Sequence, residues 1–405
     1  MRIRAFQGLR PPVDKVAQVA SLPYDVVNTQ EARKLAEGNP ISMFHVVRPD
    51  IDLPDDTDPH ADAVYAKAVE NFKRLQGEGA LVREDKPVLY VYRQQMGDHV
   101  QHGVVGVCHY QDYLNDLIKK HEKTRPDKED DRTRMTSELS ANPGPVFLTY
   151  QDNLKVSALV SHITAGAPLF DFTPEDGIRH TAWRVDDPDT LVAAFGEVPC
   201  FYVADGHHRS ASAARVGAER AKANPNHTGD EDYNWFLCVM FPGSELKILP
   251  YNRIVHDLNG QTPEQLLEAL RAITDVRENA EPSPDQPGEV SMYLGGKWYG
   301  LKFEPAADAD PVSRLDVQML QDRVLAPMLG INDPRTSTRI SFAGGIRGTD
   351  YLKQQVDAGK GAVAFSMVPV TVEQLMAISD ANQIMAPKST WFEPKLRSGL
   401  FVHTF

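Results

Sequence analysis

Cysteine is scarce in this chain, and the three copies present lie far apart. Cys108, Cys200 and Cys238 form no Cys-x-x-Cys pair anywhere in the 405 residues. Structural zinc sites need several thiolates at close spacing, so this pattern argues against a thiolate zinc site. So few cysteines also favour a reducing compartment over a secreted, disulfide-stabilised protein. We therefore expect a cytoplasmic protein.

Long apolar runs and an excess of positive charge are also missing. No stretch approaches the length of a membrane span, and the first residues, Met1–Gln7, contain no apolar signal core. The formal net charge is −13. Nonspecific binding to duplex DNA depends on neutralising phosphates, so this balance argues against nucleic acid as the main partner. The sequence predicts a soluble protein with no membrane partner, and it leaves room for a local basic pocket that takes a small anion.

The length and the order of predicted elements indicate two or three domains of mixed α+β and α/β class. We place an N-terminal α/β domain at residues 1–111, a middle domain at residues 112–260 and a C-terminal α/β domain at residues 261–405. The chain contains no internal repeat and no low-complexity tract. Oligomeric state cannot be read from these patterns, and a homo-oligomer stays open.

Periodicity within these domains predicts several individual elements. Apolar residues at helical spacing predict a long helix over residues 61–76 and another over residues 316–329. Aromatic and β-branched residues predict a strand over residues 42–48.

The stretch around which the chain is organised runs from Cys200 to Arg209. An apolar strand ends at Ala204, Asp205-Gly206 makes a sharp turn, and an alanine-rich helix follows. The start of such a helix presents free N–H groups and a positive dipole end.

Three basic side chains, His207, His208 and Arg209, stand in the first turn of this helix. A guanidinium forks onto phosphate oxygens, so the stretch is typical of a phosphate or nucleotide site. The alternative is purely structural: Asp205 is a helix cap, Gly206 a turn residue, and the histidines are solvated.

A second candidate lies in the charged segment 118–132, where His121 is followed by Glu122. A glutamate beside a histidine suits a general base if its pKa is moved toward neutrality. The alternative is an exposed, salt-bridged helix end or loop.

A third candidate is Lys388-Ser389-Thr390 near the end of the chain. It copies the end of a phosphate-binding loop, but the upstream Gly-x-x-x-x-Gly is missing, so it is not a Walker site. Two lysines, Lys388 and Lys395, together with Arg397 and two hydroxyls, still suit an anion. The alternative is a proline-fixed segment that packs Trp391 and Phe392 on the core.

At residues 204–209 the chain resembles the ParB/sulfiredoxin-like group, and especially the archaeal free serine kinases, which carry Asp-Gly-His-His-Arg before a helix and a His-Glu upstream. Over nearly its full length it is similar to the prokaryotic domain-of-unknown-function family ten-fifteen. The matching stretches are Leu22–Val26, Asn39-Pro40, His45–Pro49, His121-Glu122-x-Thr124, Ala204–Arg209 and Pro387–Lys395.

The resemblance implies a ParB/sulfiredoxin-like middle domain and a set of roles for the motif residues. Asp205, Gly206, His207, His208 and Arg209 would hold phosphate, and Glu122, with His121 and His208, would serve catalysis. Asp205 would fix the turn or help to hold Mg²⁺, while Lys388, Ser389 and Thr390 would hold a second anionic group. The implied cofactors are Mg²⁺ and ADP or ATP.

From these observations we expect phosphoryl transfer, or phosphate-ester hydrolysis, on a small hydroxylated metabolite, with serine and phosphoserine favoured. The partner would then be a small phosphorylated metabolite or a nucleotide. One rival is a ParB-like nucleotide-binding regulator without catalysis. Another is a metal hydrolase built on His121, Glu122, His207 and His208, which no metal-ligand spacing supports.

Overall fold

Helices and strands alternate along the chain, as the changing periodicity predicts. The helices are α1 (Val16–Val19), α2 (Thr29–Ala36), α3 (Phe44–Val47), α4 (Asp62–Gly77), α5 (Tyr110–Leu114), α6 (Pro126–Leu139), α7 (Leu154–Thr164), α8 (Asp189–Gly196), α9 (His207–Ala223), α10 (Pro263–Arg271), α11 (Asp316–Leu320), α12 (Gly348–Asp357) and α13 (Val372–Asp380). Short 3₁₀ turns join some of these helices to strands, and α11 continues as one π-helical turn, Gln321–Leu325.

The strands are mostly short. They are β1 (Ile3–Arg4), β2 (Leu9–Arg10), β3 (Val82–Arg83), β4 (Leu89–Met96), β5 (His99–His109), β6 (Ile118–Lys119), β7 (Ala141–Asn142), β8 (Val146–Tyr150), β9 (Phe170–Phe172), β10 (Arg179–Val185), β11 (Phe201–Asp205), β12 (Trp235–Pro242), β13 (Lys247–Leu249), β14 (Tyr251–Val255), β15 (Asp275–Glu278), β16 (Glu289–Leu294), β17 (Lys297–Lys302), β18 (Ile340–Gly344), β19 (Val363–Met367), β20 (Trp391–Glu393) and β21 (His403–Thr404).

This computed structural model describes residues 1–405 and has a mixed α/β architecture divided into two units. Unit 1 comprises Met1–Lys120, Thr124–Leu246 and Pro394–Phe405. Unit 2 comprises His121–Lys123 and Lys247–Glu393. The sequence predicted three consecutive domains instead. The difference arises because strands from residues 1–111 and from residues 112–246 join one sheet, and because the last twelve residues pack with the first unit. A composition-based boundary detects neither arrangement.

Unit 1 is built on a nine-stranded mixed sheet with the order β6-β11-β8-β12-β5-β4-β10-β9, to which β1 adds by pairing with β5. Strand β11 is parallel to β6 and antiparallel to β8, while β12 is parallel to β8. The central strands β8 and β12 are buried over nearly their whole length, as expected for strands covered on both faces. This places the carboxyl end of β11, and the start of α9, beside a buried sheet centre.

The end of the chain supplies a buried part of unit 1. Leu396, Leu400, Phe401 and Val402 are at most 3% exposed. The backbone of Val402 exchanges two hydrogen bonds with Leu9, each at 2.9 Å. The tail is therefore a core element and not an appendage.

Replacing Phe401 by alanine is expected to destabilise unit 1 by about 3–5 kcal/mol, because the cavity left by a buried ring collapses only in part. The ring contacts Tyr90, Tyr92 and Phe170, with centroid distances of 4.5, 5.9 and 6.0 Å. Thermal unfolding should show a fall of roughly 10 °C. The control is Leu154→Ala, since Leu154 is 88% exposed and its truncation should change little. Equal effects of both changes would contradict the placement of the tail.

Unit 2 contains a six-stranded sheet with the order β15-β17-β16-β19-β14-β18, in which all pairs are antiparallel. Helix α12 packs on β19, β16 and β14, and Leu352 on this helix is fully buried. The short pair β13–β20 joins the two ends of the unit 2 segment. No helix of the chain is both long and apolar enough to cross a bilayer.

One predicted helix is confirmed, a second is confirmed in part and one predicted strand is wrong. Helix α4 matches the predicted range 61–76 to within one residue at each end. Helix α11 starts where the predicted helix over 316–329 starts, but its α-helical part ends at Leu320 and the π-helical turn after it ends at Leu325. Residues 42–48 do not form a strand, because Phe44–Val47 is one helical turn in which Phe44, Val46 and Val47 are buried. Burial on several sides outweighs the β propensity of this short apolar run.

Candidate functional site

The start of α9 follows directly on β11 through a sharp turn. Strand β11 shifts register against β8 between Val203 and Asp205, and such a bulge redirects the side chain that follows it. Gly206 then adopts a left-handed conformation with φ of 93°, which glycine takes without a side-chain clash. No side chain caps the first N–H groups of α9. The helix start therefore has donors of the kind that bind anions.

Arg209 lies inside this helix start, with its side chain 12% exposed. Its Nη1 donates to the carbonyl oxygen of Pro145 at 2.8 Å, and its Nη2 donates to Asp205 Oδ2 at 3.2 Å. The Nε atom is buried and has no hydrogen-bond partner. A Cβ atom at Gly206 would stand 3.0 Å from Nε and 3.2 Å from Nη2. The absence of a Cβ at Gly206 thus lets the guanidinium pack directly against the turn.

Two carboxylates stabilise the positive charge of Arg209. Burial alone would lower the pKa of Arg209, but Asp25 and Asp205, with a smaller contribution from Tyr24, raise it above its ordinary value. The guanidinium is therefore held charged in a largely buried position. A buried charge of this kind is retained only where fixed partners compensate it.

The two histidines of the motif have different surroundings. His207 is 7% exposed, and its carbonyl oxygen accepts a hydrogen bond from Ser210 Oγ at 3.0 Å. His208 is half-buried, and its Nε2 accepts a hydrogen bond from the backbone N–H of Arg125 at 3.1 Å. With Nε2 as acceptor, the ring proton of neutral His208 resides on Nδ1.

A cavity of about 50 Å³ adjoins Arg209 within unit 1, which is room for a few water-sized groups. Its wall includes Tyr24, Arg132, Gly144 and Ser398. The Arg132 guanidinium lies 4.2 Å from the ring centroid of Tyr24, a cation–π distance. Burial raises the pKa of Tyr24 well above its ordinary range. The cavity therefore combines a fixed aromatic ring with two guanidinium groups.

Arg48 fixes the segment that carries Tyr24 and Asp25. Its Nη1 donates to the carbonyl oxygens of Tyr24, at 3.1 Å, and Val27. Its Nε and Nη2 bind the two carboxylate oxygens of Asp50 at 3.0 and 2.8 Å, a forked arrangement. The loop before α2 is thereby held in one conformation beside the cavity.

In unit 2, His121 is 1% exposed, and its Nε2 lies 3.3 Å from Thr390 Oγ1. Its carbonyl oxygen accepts from the N–H of Met385 at 2.9 Å. Glu122 beside it is half-buried. The predicted His-Glu pair and the predicted Lys-Ser-Thr segment are thus neighbours within this unit.

Lys388 has a φ of 59°, which is uncommon for a residue with a side chain. The guanidinium of Arg253 stabilises this conformation. It donates hydrogen bonds to the carbonyl oxygen of Lys388 at 2.8 Å, to that of Pro387 at 3.0 Å and to that of Tyr251. Arg253 is 2% exposed, and burial lowers its pKa to about 9. Ser389 Oγ donates to Ala386 O at 2.6 Å and closes the turn.

Tyr251 connects Glu122 and Lys388 electrostatically. Burial raises the pKa of Tyr251, Lys388 lowers it, and Glu122 raises it slightly. The Lys388 Nζ lies 5.7 Å from the centroid of the Tyr251 ring. The phenol of Tyr251 therefore experiences the charges of both the Lys388 ammonium group and the Glu122 carboxylate within unit 2.

No group of three or more His, Cys, Asp or Glu side chains in the chain is placed to hold a metal ion. The resemblance implied that Asp205 helps to hold Mg²⁺. The carboxylate of Asp205 instead lies against two cations, with Arg209 Nη2 at 3.2 Å and Lys395 Nζ at 3.9 Å. Mg²⁺ prefers an anionic oxygen site, so these surroundings do not fit a directly bound ion. We assign no step to Mg²⁺.

The predicted site residues fall into two groups. Asp205–Arg209 belong to unit 1, where Arg209 faces a cavity. His121, Glu122 and Lys388–Thr390 belong to unit 2, where His121 contacts Thr390. The assigned roles stay predictions.

Sequence reasoning missed several residues of these two sites, namely Tyr24, Arg48, Arg132, Tyr251 and Arg253. Tyr24 and Arg48 stand in stretches that carry the family resemblance, which is the signal that could have identified them. Arg253 gives no such signal, because it is a single arginine in an ordinary strand pattern.

Together, the fold and site define a two-unit, mixed α/β protein with an uncapped, arginine-bearing helix start in its first unit. The chain belongs to the family described as "Protein of unknown function (DUF1015)", which matches residues 3–318. Lys388–Thr390 and Lys395 lie beyond the matched range. Among curated proteins, none matches the chain significantly.

Solved structures similar to this chain are remote in sequence. A free serine kinase variant in complex with ADP has 13% identity and a TM-score of 0.38, covering 73% of this chain and 90% of its own. C-terminally truncated SbnI from Staphylococcus aureus has 12% identity and a TM-score of 0.41, covering 73% and 85%. A conserved hypothetical protein from Pyrococcus furiosus has 14% identity and a TM-score of 0.35, covering 72% and 92%.

Proposed function

We propose that this protein binds the phosphate of a small metabolite or nucleotide at the start of α9. We further propose that it transfers a phosphoryl group to or from a small hydroxylated metabolite, with serine and phosphoserine the favoured pair. Hydrolysis of a phosphate ester is the same chemistry with water as the acceptor. Such reactions depend mainly on positioning and charge stabilisation, and a rigid helix start can provide both.

One observation carries the proposal, namely the buried Arg209 Nε, which has no acceptor and lies at the uncapped start of α9. A buried donor without an acceptor costs about 1–3 kcal/mol, so a protein that keeps one has a use for it. An anionic oxygen at this place would receive Nε–H and lie at the positive end of a seventeen-residue helix. Phosphate oxygens suit both features.

We assign each of the other predicted residues a role in this phosphoryl transfer. The acceptor hydroxyl attacks phosphorus, its proton passes to Glu122, and the bond between phosphorus and the donor oxygen breaks. His121 and His208 assist this proton transfer. Lys388, Ser389 and Thr390 hold a second anionic group, and Asp205 fixes the turn. ADP or ATP would serve as the phosphoryl carrier.

The proposal is tested by incubating the full chain with serine and ADP or ATP, and separately with phosphoserine alone and with ADP, with and without Mg²⁺. Phosphorus NMR follows transfer in either direction and also release of inorganic phosphate. We expect turnover in at least one of these mixtures. Glu122→Gln should lower kcat by about 10²–10⁴-fold, the usual contribution of a general base, because the amide cannot accept the proton.

Glu268→Gln is the matched control, since Glu268 is an exposed glutamate on α10 of the same unit and its change should leave turnover intact. Absence of turnover in every mixture would exclude the catalytic function. Nucleotide binding without turnover would favour the regulatory rival. Turnover that is unaffected by Glu122→Gln would remove Glu122 from the mechanism.

A further inference from the structure

The segment after unit 2 brings a lysine to the helix start of unit 1. Lys395 is 8% exposed, and its Nζ lies 3.9 Å from Asp205 Oδ2, the oxygen that also accepts from Arg209. A distance of 3.9 Å is an ion-pair separation and longer than a direct hydrogen bond. The ammonium group therefore forms an ion pair with the carboxylate of Asp205.

The backbone of this lysine is fastened by buried amides. Gln94 Nε2 donates to the carbonyl oxygen of Lys395 at 2.9 Å, and Gln94 Oε1 in turn accepts from Gln101 Nε2 at 3.0 Å. Both glutamine side chains are fully buried. A chain of buried, mutually satisfied amides holds its members in one arrangement.

Arg397 fastens the same segment on the other side of Leu396. Its Nε donates to His180 Nε2 at 3.1 Å, and its Nη2 contacts Asp176. Because Nε2 of His180 accepts, Nδ1 carries the proton and faces Tyr92 Oη at 2.6 Å. Hydrogen bonds and an ion pair on both sides of Leu396 thus fix the position of Lys395.

We propose that Lys395 is a ligand of the bound phosphate, a role that rests on the proposed function. Arg209 supplies a forked donor and Lys395 a compact point charge, and the two meet at one carboxylate oxygen of Asp205. The pair suits a phosphate monoester or a polyphosphate, whose several anionic oxygens can contact both cations at once. The C-terminal segment therefore completes the site as well as the core.

The test is calorimetric titration of the full chain with ADP, inorganic phosphate and adenosine. Lys395→Met should weaken ADP and phosphate binding by about 10–100-fold, the usual value of a charged hydrogen bond. Lys395→Arg should retain most of the affinity because it keeps the charge. Any adenosine binding by the wild-type chain should be unchanged in the variants, and circular dichroism should show the same folded signal in each, a result that a general loss of structure would not give.

Lys155→Met is the control, because Lys155 is an exposed lysine of unit 1 that pairs with Glu197. If the wild-type chain binds neither ADP nor phosphate, the proposed function and this inference both fail. If it binds them and Lys395→Met binds equally well, only the role of Lys395 fails. Lys395→Gln removes the charge while keeping a polar side chain, and it decides the question if the methionine variant does not fold.

Discussion

Arg209→Lys is expected to lower affinity for ADP and inorganic phosphate by at least 10-fold while leaving the chain folded. A lysine keeps the positive charge but cannot donate at once to Pro145 O, to Asp205 and to a ligand oxygen, as the planar guanidinium can. The unpaired Nε donor of Arg209 is also lost in this variant. Calorimetric titration measures the affinity, and circular dichroism at increasing temperature checks the fold.

Arg209→Met should have a larger effect, with binding reduced by 100-fold or more. This change also leaves Asp205 without the cation at 3.2 Å, and breaking a buried ion pair costs about 3–5 kcal/mol. The double variant Asp205→Asn with Arg209→Met removes both charges and should recover part of this stability without recovering binding. If the double variant recovers stability but not binding, the structural role of the ion pair is separate from its role in ligand binding.

Arg215→Met is the matched control on the same helix. Arg215 is 44% exposed and pairs with Asp130 and Glu219, and exposed pairs contribute about 0–1 kcal/mol. Its loss should leave both binding and stability nearly unchanged. Normal ADP and phosphate binding by a folded Arg209→Lys or Arg209→Met variant would remove Arg209 from the site.

Unit 1 is expected to lose stability steeply as the pH falls from about 6.5 toward 4. Three histidines in this unit, His109, His180 and His403, are at most 6% exposed. Burial lowers the pKa of His109 and of His403 to about 4. Burial, with Arg397 nearby, lowers the pKa of His180 well below its ordinary value. The folded unit therefore holds these rings neutral over a range in which the unfolded chain protonates them.

The sign follows from which state binds more protons. Above about pH 6.5 both states are neutral and the contribution to stability is complete. Below it the unfolded state takes up protons that the folded state excludes, so the free energy of unfolding falls by about 1.4 kcal/mol per pH unit for each histidine. By pH 5 the loss is about 2 kcal/mol per ring. Three rings would remove about 6 kcal/mol, which is comparable to the whole stability of many domains.

Other groups with a shifted pKa titrate over a different pH range or belong to unit 2. The carboxyl groups of Asp50 and Asp131 have a lowered pKa, despite burial that raises it, because Arg48 and Arg132 bind them. They weaken unit 1 only below about pH 4. Burial raises the pKa of Asp316 in unit 2 to about 6, so its protonation between pH 6 and 4 stabilises that unit by about 1.4 kcal/mol per pH unit.

Urea unfolding at pH 7, 6 and 5, followed by fluorescence, measures this dependence. His403→Gln should reduce the slope between pH 6.5 and 5 by about one proton. His162→Gln, which changes an exposed histidine on α7, should not alter it. A free energy of unfolding that stays constant down to pH 5 would contradict the neutral, buried state of the three rings.

The local features of the candidate site could be predicted from the sequence. Strand β11, the turn at Asp205-Gly206 and helix α9 follow from an apolar run, a glycine and an alanine-rich segment. The wrong strand over residues 42–48 marks the limit of this reasoning. Phe44, Val46 and Val47 favour a strand locally, and only their burial within the core of unit 1 makes a helical turn more stable.

By itself, therefore, the sequence determined the mixed α/β class, the family and the strand–glycine–helix unit with His207, His208 and Arg209 at its start. Only the tertiary structure decided that Arg209 is buried beside Asp205, that Tyr24 and Arg132 form the cavity wall, and that Lys395 returns to the same carboxylate. Local propensity depends on neighbours a few residues apart, and Asp205 and Arg209 are such neighbours. The burial of Arg209, the contact of Tyr24 with Arg132 and the contact of Lys395 with Asp205 instead join segments far apart in the chain. Such contacts form only when the packing of the whole core fixes them.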